Sequence, residues 1–220
     1  EETNLKAYLL LDTSGSMEFG SDDITKYQYA THLAAALAYL SLKQRDAVGL
    51  VTFDERIREF LPPRSVGSHL HTLLNTVSAT EADGSDTDLS ATFHQLAERL
   101  HRRGLVVVLS DLIDNPESLL TGLQHFRHRK HEVIVFHILD PRELDLQFGR
   151  ETVFVDLESG ARVTTEPWQI AAEYRSHVDA LTARFRNVCR ENPIDYVLVD
   201  TRTTFDVALF NYLAKRRRLI

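Results

Sequence analysis

The feature that most constrains this chain is a series of short, nearly unbroken apolar runs, each followed by a stretch of helix length. Leu5–Asp12 (LKAYLLLD), Asp46–Phe53 (DAVGLVTF), Gly104–Asp111 (GLVVVLSD), His131–Leu139 (HEVIVFHIL) and Asp195–Asp200 (DYVLVD) are rich in Val, Ile and Leu. A strand with apolar residues on both faces has to be covered on both, which is how parallel sheets in α/β proteins are built. Between the runs the period changes from strand to helix: Tyr27, Ala30, Leu33, Ala34, Leu37 and Leu40 fall on one helix face. Further helices are expected over His69–Val77, Leu89–His101, from Pro116 behind an Asp or Asn cap, Pro167–Glu191 and Asp206–Arg217.

The fold class expected is therefore α/β, a Rossmann-like, doubly wound, mostly parallel sheet with helices on both faces. One antiparallel edge strand, Arg56–Leu61, is expected to stop at Pro62 and Pro63. A small β-hairpin insertion is expected over Glu151–Thr165, turning at Glu158-Ser159-Gly160. The hairpin is too short to bury a core of its own, so residues 1–220 read as a single domain. The chain opens on Glu rather than Met, and the simplest account is a piece of a longer protein with an upstream region not included.

A formal net charge of −7 argues against affinity for nucleic-acid backbones. No apolar run approaches the ~20 residues that span a bilayer, so no membrane insertion by this segment is expected. The one cysteine, Cys189, excludes an internal disulfide and favours a reducing, cytoplasmic setting. Membrane attachment through the upstream part stays open. Cys189 reads as a buried filler.

The first run ends on Asp-Thr-Ser-Gly-Ser, and burying an unpaired carboxylate costs several kcal/mol, so Asp12 needs a partner. In an open, doubly wound sheet the working loops lie at the carboxyl ends of strands, near the point where strand order reverses. Three such places carry polar residues: Asp12 with Ser14 and Ser16, the loop with Asp86, Thr87 and Asp88, and Asp111 after the third run. Two carboxylates and three hydroxyls make a hard-cation set of the kind Mg²⁺ takes. The expected metal ligands are Asp12, Ser14, Ser16, Thr87 and Asp111.

With those positions filled, the chain resembles von Willebrand factor type A (VWA) domains and their metal-ion-dependent adhesion site, Asp-x-Ser-x-Ser with a later Thr and Asp. The runs DTSGSMEFGSDDITKYQYATHLAAALAYLSLKQRDAVGLVTFD, RRGLVVVLSDLID, HEVIVFHILDP and DVALFNYLAKR are similar to a bacterial branch of that superfamily, the domain of unknown function numbered 58. The resemblance implies a VWA-like fold carrying one Mg²⁺ or Mn²⁺, whose open position accepts an Asp or Glu from a protein partner. It also implies association with MoxR-type AAA+ ATPases in chaperone-like assembly or activation of other proteins, and no enzymatic activity. The loop DGSDTD departs from the usual Gly-Gly-Thr approach. Thr87 is preferred there to Ser85, with Asp88 as a helix cap.

Other readings are plainer. A haloacid-dehalogenase-type phosphoryl hydrolase also places Asp beside Mg²⁺ at a first strand end, but needs an acid–base Asp where Ser14 stands. A domain merely stabilised by its metal is a further alternative. No G-x-x-x-x-G-K-[ST] or G-x-G-x-x-G marks a nucleotide site. Asp54 and Asp114 read as turn and helix-start residues. His125, His128 and His131 read as solvated rather than zinc-binding. Trp168 is expected in a core under the hairpin. Lys215–Arg218 read as complements to a helix dipole, with a docking tail for an acidic partner as the sharper option.

Overall fold

The computed structural model describes residues 5–80, 82, 89–149, 151–156 and 160–219. In chain order, β1 (Lys6–Asp12) leads through a 3₁₀ turn (Gly15–Glu18) to α1 (Lys26–Lys43), β2 (Ala47–Phe53) and β3 (Ile57–Arg64). Next come α2 (His69–Ala79), α3 (Leu89–Arg99), β4 (Leu105–Ser110), α4 (Pro116–His128) and β5 (Glu132–Leu139). A short α5 (Pro141–Asp145) precedes the hairpin β6 (Thr152–Val155) and β7 (Arg162–Thr165). The chain finishes with α6 (Pro167–Glu191), β8 (Ile194–Asp200) and α7 (Phe205–Arg217).

The main sheet runs β3-β2-β1-β4-β5-β8, with β3 antiparallel and the others parallel. Alternation along β1 explains its continuous apolar run. Leu9 and Leu11 face a core shared with α1, α2 and α7, while Tyr8 and Leu10 face one shared with α3, α4 and α6. Strand order reverses between β1 and β4, so the crevice of the fold opens at the ends of those two strands.

Local chemistry sets the helix starts. Thr25 accepts from the Gln28 amide, and Gln28 reciprocates in a capping box for α1. Asn115 caps α4 with Pro116 in its first turn. Asp140 and Glu143 form the capping box of α5.

Three expectations about local structure need correcting. Pro62 and Pro63 do not stop β3, which continues to Arg64. Leu61 pairs with Leu50 and Arg64 with Val48, so the two prolines bulge opposite the single residue Gly49. On an edge strand the missing N–H groups cost no ladder bond. A Cβ on Gly49 would lie 2.7 Å from the Leu61 carbonyl oxygen and 2.9 Å from Pro63 N, so the bulge requires glycine there.

Trp168 is 64% exposed rather than packed in a core. Burial along α6 is concentrated in its second half, at Thr182, Phe185 and Cys189; in the first half Pro167 alone is buried, and the rest overhangs the sheet. The histidines are not all solvated. His131 is buried with Nε2 3.1 Å from the Leu100 carbonyl oxygen, and half-buried His125 lies 2.8 Å from His94 Nδ1 and 2.9 Å from Glu98.

Other readings hold. Cys189 is buried, and burial pushes its thiol up to about 12. Asp54 is a turn residue, accepting from the Arg56 amide and pairing with Arg58. Gly160 takes φ +71°, as a hairpin turn asks, while residues 158 and 159 lie outside the described residues. Half of the basic run is used internally: Lys215 pairs with Glu132 (2.8 Å) and Asp195 (3.2 Å), and Arg216 with Asp46. No helix among the described residues is long and apolar enough to cross a membrane.

Gly49→Ala is expected to destabilise the chain by about 1–3 kcal/mol, through the collision of its methyl group with the bulge. Urea unfolding measures this, and an unchanged midpoint would show that β3 can yield without cost.

Candidate functional site

Asp12 ends β1 with no solvent exposure. Thr13 follows and is tied to β2, its amide and hydroxyl both donating to the Phe53 carbonyl (2.7 and 3.0 Å). That anchor fixes where the next residues turn. The Ser14 amide donates to Asp12 Oδ1 at 2.9 Å, and the Ser14 and Ser16 hydroxyl oxygens lie 3.1 Å apart. Ser110, at the end of neighbouring β4, donates its hydroxyl to Asp12 Oδ2. Asp111 is the next residue and is also buried. The structure thus brings Asp12, Ser14, Ser16 and Asp111 together at the switch point.

Thr87, with Ser85, Asp86 and Asp88, lies outside the described residues. Leu89, two residues after Thr87, donates its amide to Asp114 Oδ2 at 2.9 Å. Asp114 therefore places a carboxylate at the start of α3 and holds that start beside the end of β4. The Asn115 amide bonds the same side chain, so Asp114 serves two elements.

Sequence reasoning missed the cation. Lys26, the first residue of α1, is fully buried and reaches Asp111 Oδ2 at 2.7 Å and Glu143 Oε1 of α5 at 2.6 Å. Glu143 Oε2 accepts from the Asp140 amide, and Asp140 in turn accepts from the Ser21 amide (2.8 Å) and hydroxyl (2.6 Å). A signal existed. A lysine in the first helical turn opposes the helix dipole and calls for carboxylates from elsewhere.

Charge in the cluster is unbalanced. Burial pushes Asp12 up to about 7, with the nearby Asp111 charge adding to it and bonds from Ser110 and Ser14 opposing. Burial also raises Glu143, against the pull of Lys26. Burial works against the charged form of Lys26, but Asp111 and Glu143 more than offset it, so the ammonium keeps its proton. His137, on β5, adds no second cation, because burial pushes it down to about 4. Two carboxyl groups, on Asp111 and Glu143, thus share one ammonium, with Asp12 beside Asp111.

A hard divalent ion suits this chemistry. The donors are carboxylate and hydroxyl oxygens, and the excess buried negative charge is what such an ion offsets. No group of three or more His, Cys, Asp or Glu side chains is placed to hold a metal ion by itself among the described residues, so any ion here also depends on hydroxyls and water.

Two outcomes follow from the charges. Lys26→Met leaves Asp111 and Glu143 uncompensated and is expected to cost about 3–5 kcal/mol in urea unfolding; a neutral result would mean that water already satisfies them. Asp12 retains its proton in the folded chain to about pH 7, whereas an unfolded Asp titrates near 4. Its contribution to stability is present at low pH and is lost as pH rises from about 4 through about 7. Asp12→Asn, neutral throughout, should stabilise the chelator-treated chain above pH 7 by roughly 1–4 kcal/mol and change it little near pH 4. Equal shifts at both pH values would contradict this.

The architecture matches solved structures of low sequence identity. BatB from Bacteroides thetaiotaomicron, a conserved hypothetical protein, superposes with TM-score 0.64 at 12% identity over 97% of this chain and 99% of that one. An aerotolerance-related membrane protein from Bacteroides fragilis gives 0.60 at 15% identity, covering 89% and 92%. The SpRpn10 VWA domain gives 0.50 at 12% identity, covering 96% and 95%. These likenesses establish a VWA-like fold. In sequence, the chain is 29% identical over 161 residues to the uncharacterised protein Rv1480 of Mycobacterium tuberculosis, a match covering 72% of this chain and 50% of that protein. It spans about half the length of that relative. Residues 1–186 match the family described as protein of unknown function DUF58, and the chain belongs to that family.

Proposed function

We propose that this VWA-like domain is a divalent-cation-dependent protein-interaction module rather than an enzyme. One observation carries the reading: at the switch point buried Asp12 is bonded by Ser14, whose hydroxyl lies 3.1 Å from that of Ser16, and it sits within the field of buried Asp111, while Lys26 answers two carboxylates at once. Mg²⁺ or Mn²⁺ would be held by Asp12, Ser14, Ser16 and Asp111, with Thr87 completing the set. An ion held there would supply a Lewis-acid position for a carboxylate from a partner protein. The chain's own residues do the rest. Thr13 and Ser110 fix Asp12, the Ser14 amide orients its carboxylate, and Lys26 holds Asp111 in place. Ser14 stands where a haloacid-dehalogenase-type phosphoryl hydrolase needs its second, proton-shuttling carboxylate.

The partner proposed is an assembly involving a MoxR-type AAA+ ATPase, with the domain contributing to chaperone-like assembly or activation of client proteins. The family resemblance supports this, and the acidic side chain is supplied by the partner.

Capture of the cognate ATPase or its client by the chain should require Mg²⁺ and be lost with EDTA or Asp12→Ala. Calorimetry should show one Mg²⁺ or Mn²⁺ bound, weakened at least about tenfold, or about 1.4 kcal/mol, in Asp12→Ala. Capture indifferent to both chelation and substitution would refute the reading. Metal binding and a raised Tm without any metal-dependent capture would leave the ion a stabilising role only.

A further inference from the structure

Large apolar side chains are exposed around one region of the molecule: Ile113 after β4, Val155 and Val163 on the hairpin, and Ile170 near the start of α6. Scattered exposed apolar residues need no explanation, whereas a contiguous group marks an interaction site. This group borders a cleft of about 480 Å³ between the hairpin, α5, α6 and the β4–α4 connection. Phe154 and Val163 face each other across the hairpin ladder, and Phe154 packs edge-on against Phe148 with ring centroids 5.1 Å apart.

Two features say what the cleft takes. Its lining includes Ser16, a candidate ligand, and Glu143, the second partner of Lys26, so it is continuous with the carboxylate cluster. It also includes Arg142, whose guanidinium lies 5.6 Å from the Phe148 ring centroid and whose charge acts on Asp22, alongside the carboxylates Glu143 and Asp156. Mostly apolar walls that run up to the carboxylate and hydroxyl cluster complement a segment pairing an acidic residue with a bulky apolar one. A volume in the ~300–1,000 Å³ range of ligand clefts admits a few side chains rather than the face of a folded second copy.

We propose that this cleft is the other half of the partner-binding surface: it takes a bulky aliphatic or aromatic side chain from a partner segment whose neighbouring Asp or Glu reaches the Asp12–Ser14–Ser16–Asp111 cluster. The acidic half of the inference rests on the metal-dependent reading above, and the apolar half rests on the cleft. The cleft discriminates among acidic partners by the residue beside the carboxylate.

The test pans a random-peptide phage library against the immobilised chain in Mg²⁺, in EDTA, and against a Val163→Asp/Ile170→Asp variant. Both positions are exposed, so the fold should tolerate the changes, as circular dichroism would check. In Mg²⁺ the wild-type chain should enrich peptides pairing Asp or Glu with Phe, Leu or Trp within a few residues. A resynthesised peptide should bind the variant at least about tenfold more weakly while the variant's Mg²⁺ affinity is unchanged. Acidic peptides without apolar enrichment, or equal binding to the variant, would overturn the cleft and leave the metal reading standing. Apolar enrichment unaffected by EDTA would overturn the coupling and count against the metal reading. No enrichment in any arm would overturn the proposal. So would a concentration-dependent dimer in sedimentation that the variant abolishes, since a second copy would then occupy the cleft.

Discussion

An ammonium group without solvent contact, shared between carboxylates from two other elements, is the interaction on which the working end of this molecule depends. Lys26 starts α1, Asp111 follows β4 and Glu143 belongs to α5, so three segments far apart in sequence converge on one nitrogen. Burying an ion pair confers little net stability, because desolvation offsets the attraction. It does impose specificity. Each partner must arrive, because any one left alone is an uncompensated buried charge. The convergence of β1, β4, α1 and α5 at the switch point is therefore specified more tightly than hydrophobic packing alone would do.

The same arithmetic separates the cluster from a merely satisfied polar core. One ammonium answers both Asp111 and Glu143, which leaves the cluster short of positive charge; Asp12, raised chiefly by burial and then by the Asp111 charge, holds its proton to about pH 7. The serine hydroxyls around it are neutral and cannot supply the deficit. A compact, hard, doubly charged ion can. This gives the metal reading a physical basis in this chain's own residues, beside the likeness to VWA domains, which by itself speaks only to fold.

Much of the architecture was legible because the signals were local or periodic. Double-sided apolar strands implied a covered parallel sheet, and Asn115 before Pro116 marked the start of α4 within the sequence itself. What escaped depended on contacts between distant segments. Pro62 and Pro63 read as a strand stop because their partner Gly49, which makes room for the bulge, lies on another strand. Trp168 read as core because aromatic residues usually are, and nothing local reveals that half of α6 overhangs the sheet. At the site, Asp12, Ser14, Ser16 and Asp111 were recognisable from spacing at strand ends, and the structure places them together. Lys26 left a hint, as a lysine in a first helical turn, but nothing in one sequence names Glu143, 117 residues away, as its partner. Thr87 rests on spacing alone.

The sole sulfhydryl of the chain, Cys189, is buried on the inner side of α6 and held in its unreactive, protonated form. Maleimide and spin-label reagents should therefore pass the native molecule by. A cysteine introduced on the hairpin rim would become a uniquely addressable reporter, able to sense what approaches that side without the background having first to be rebuilt.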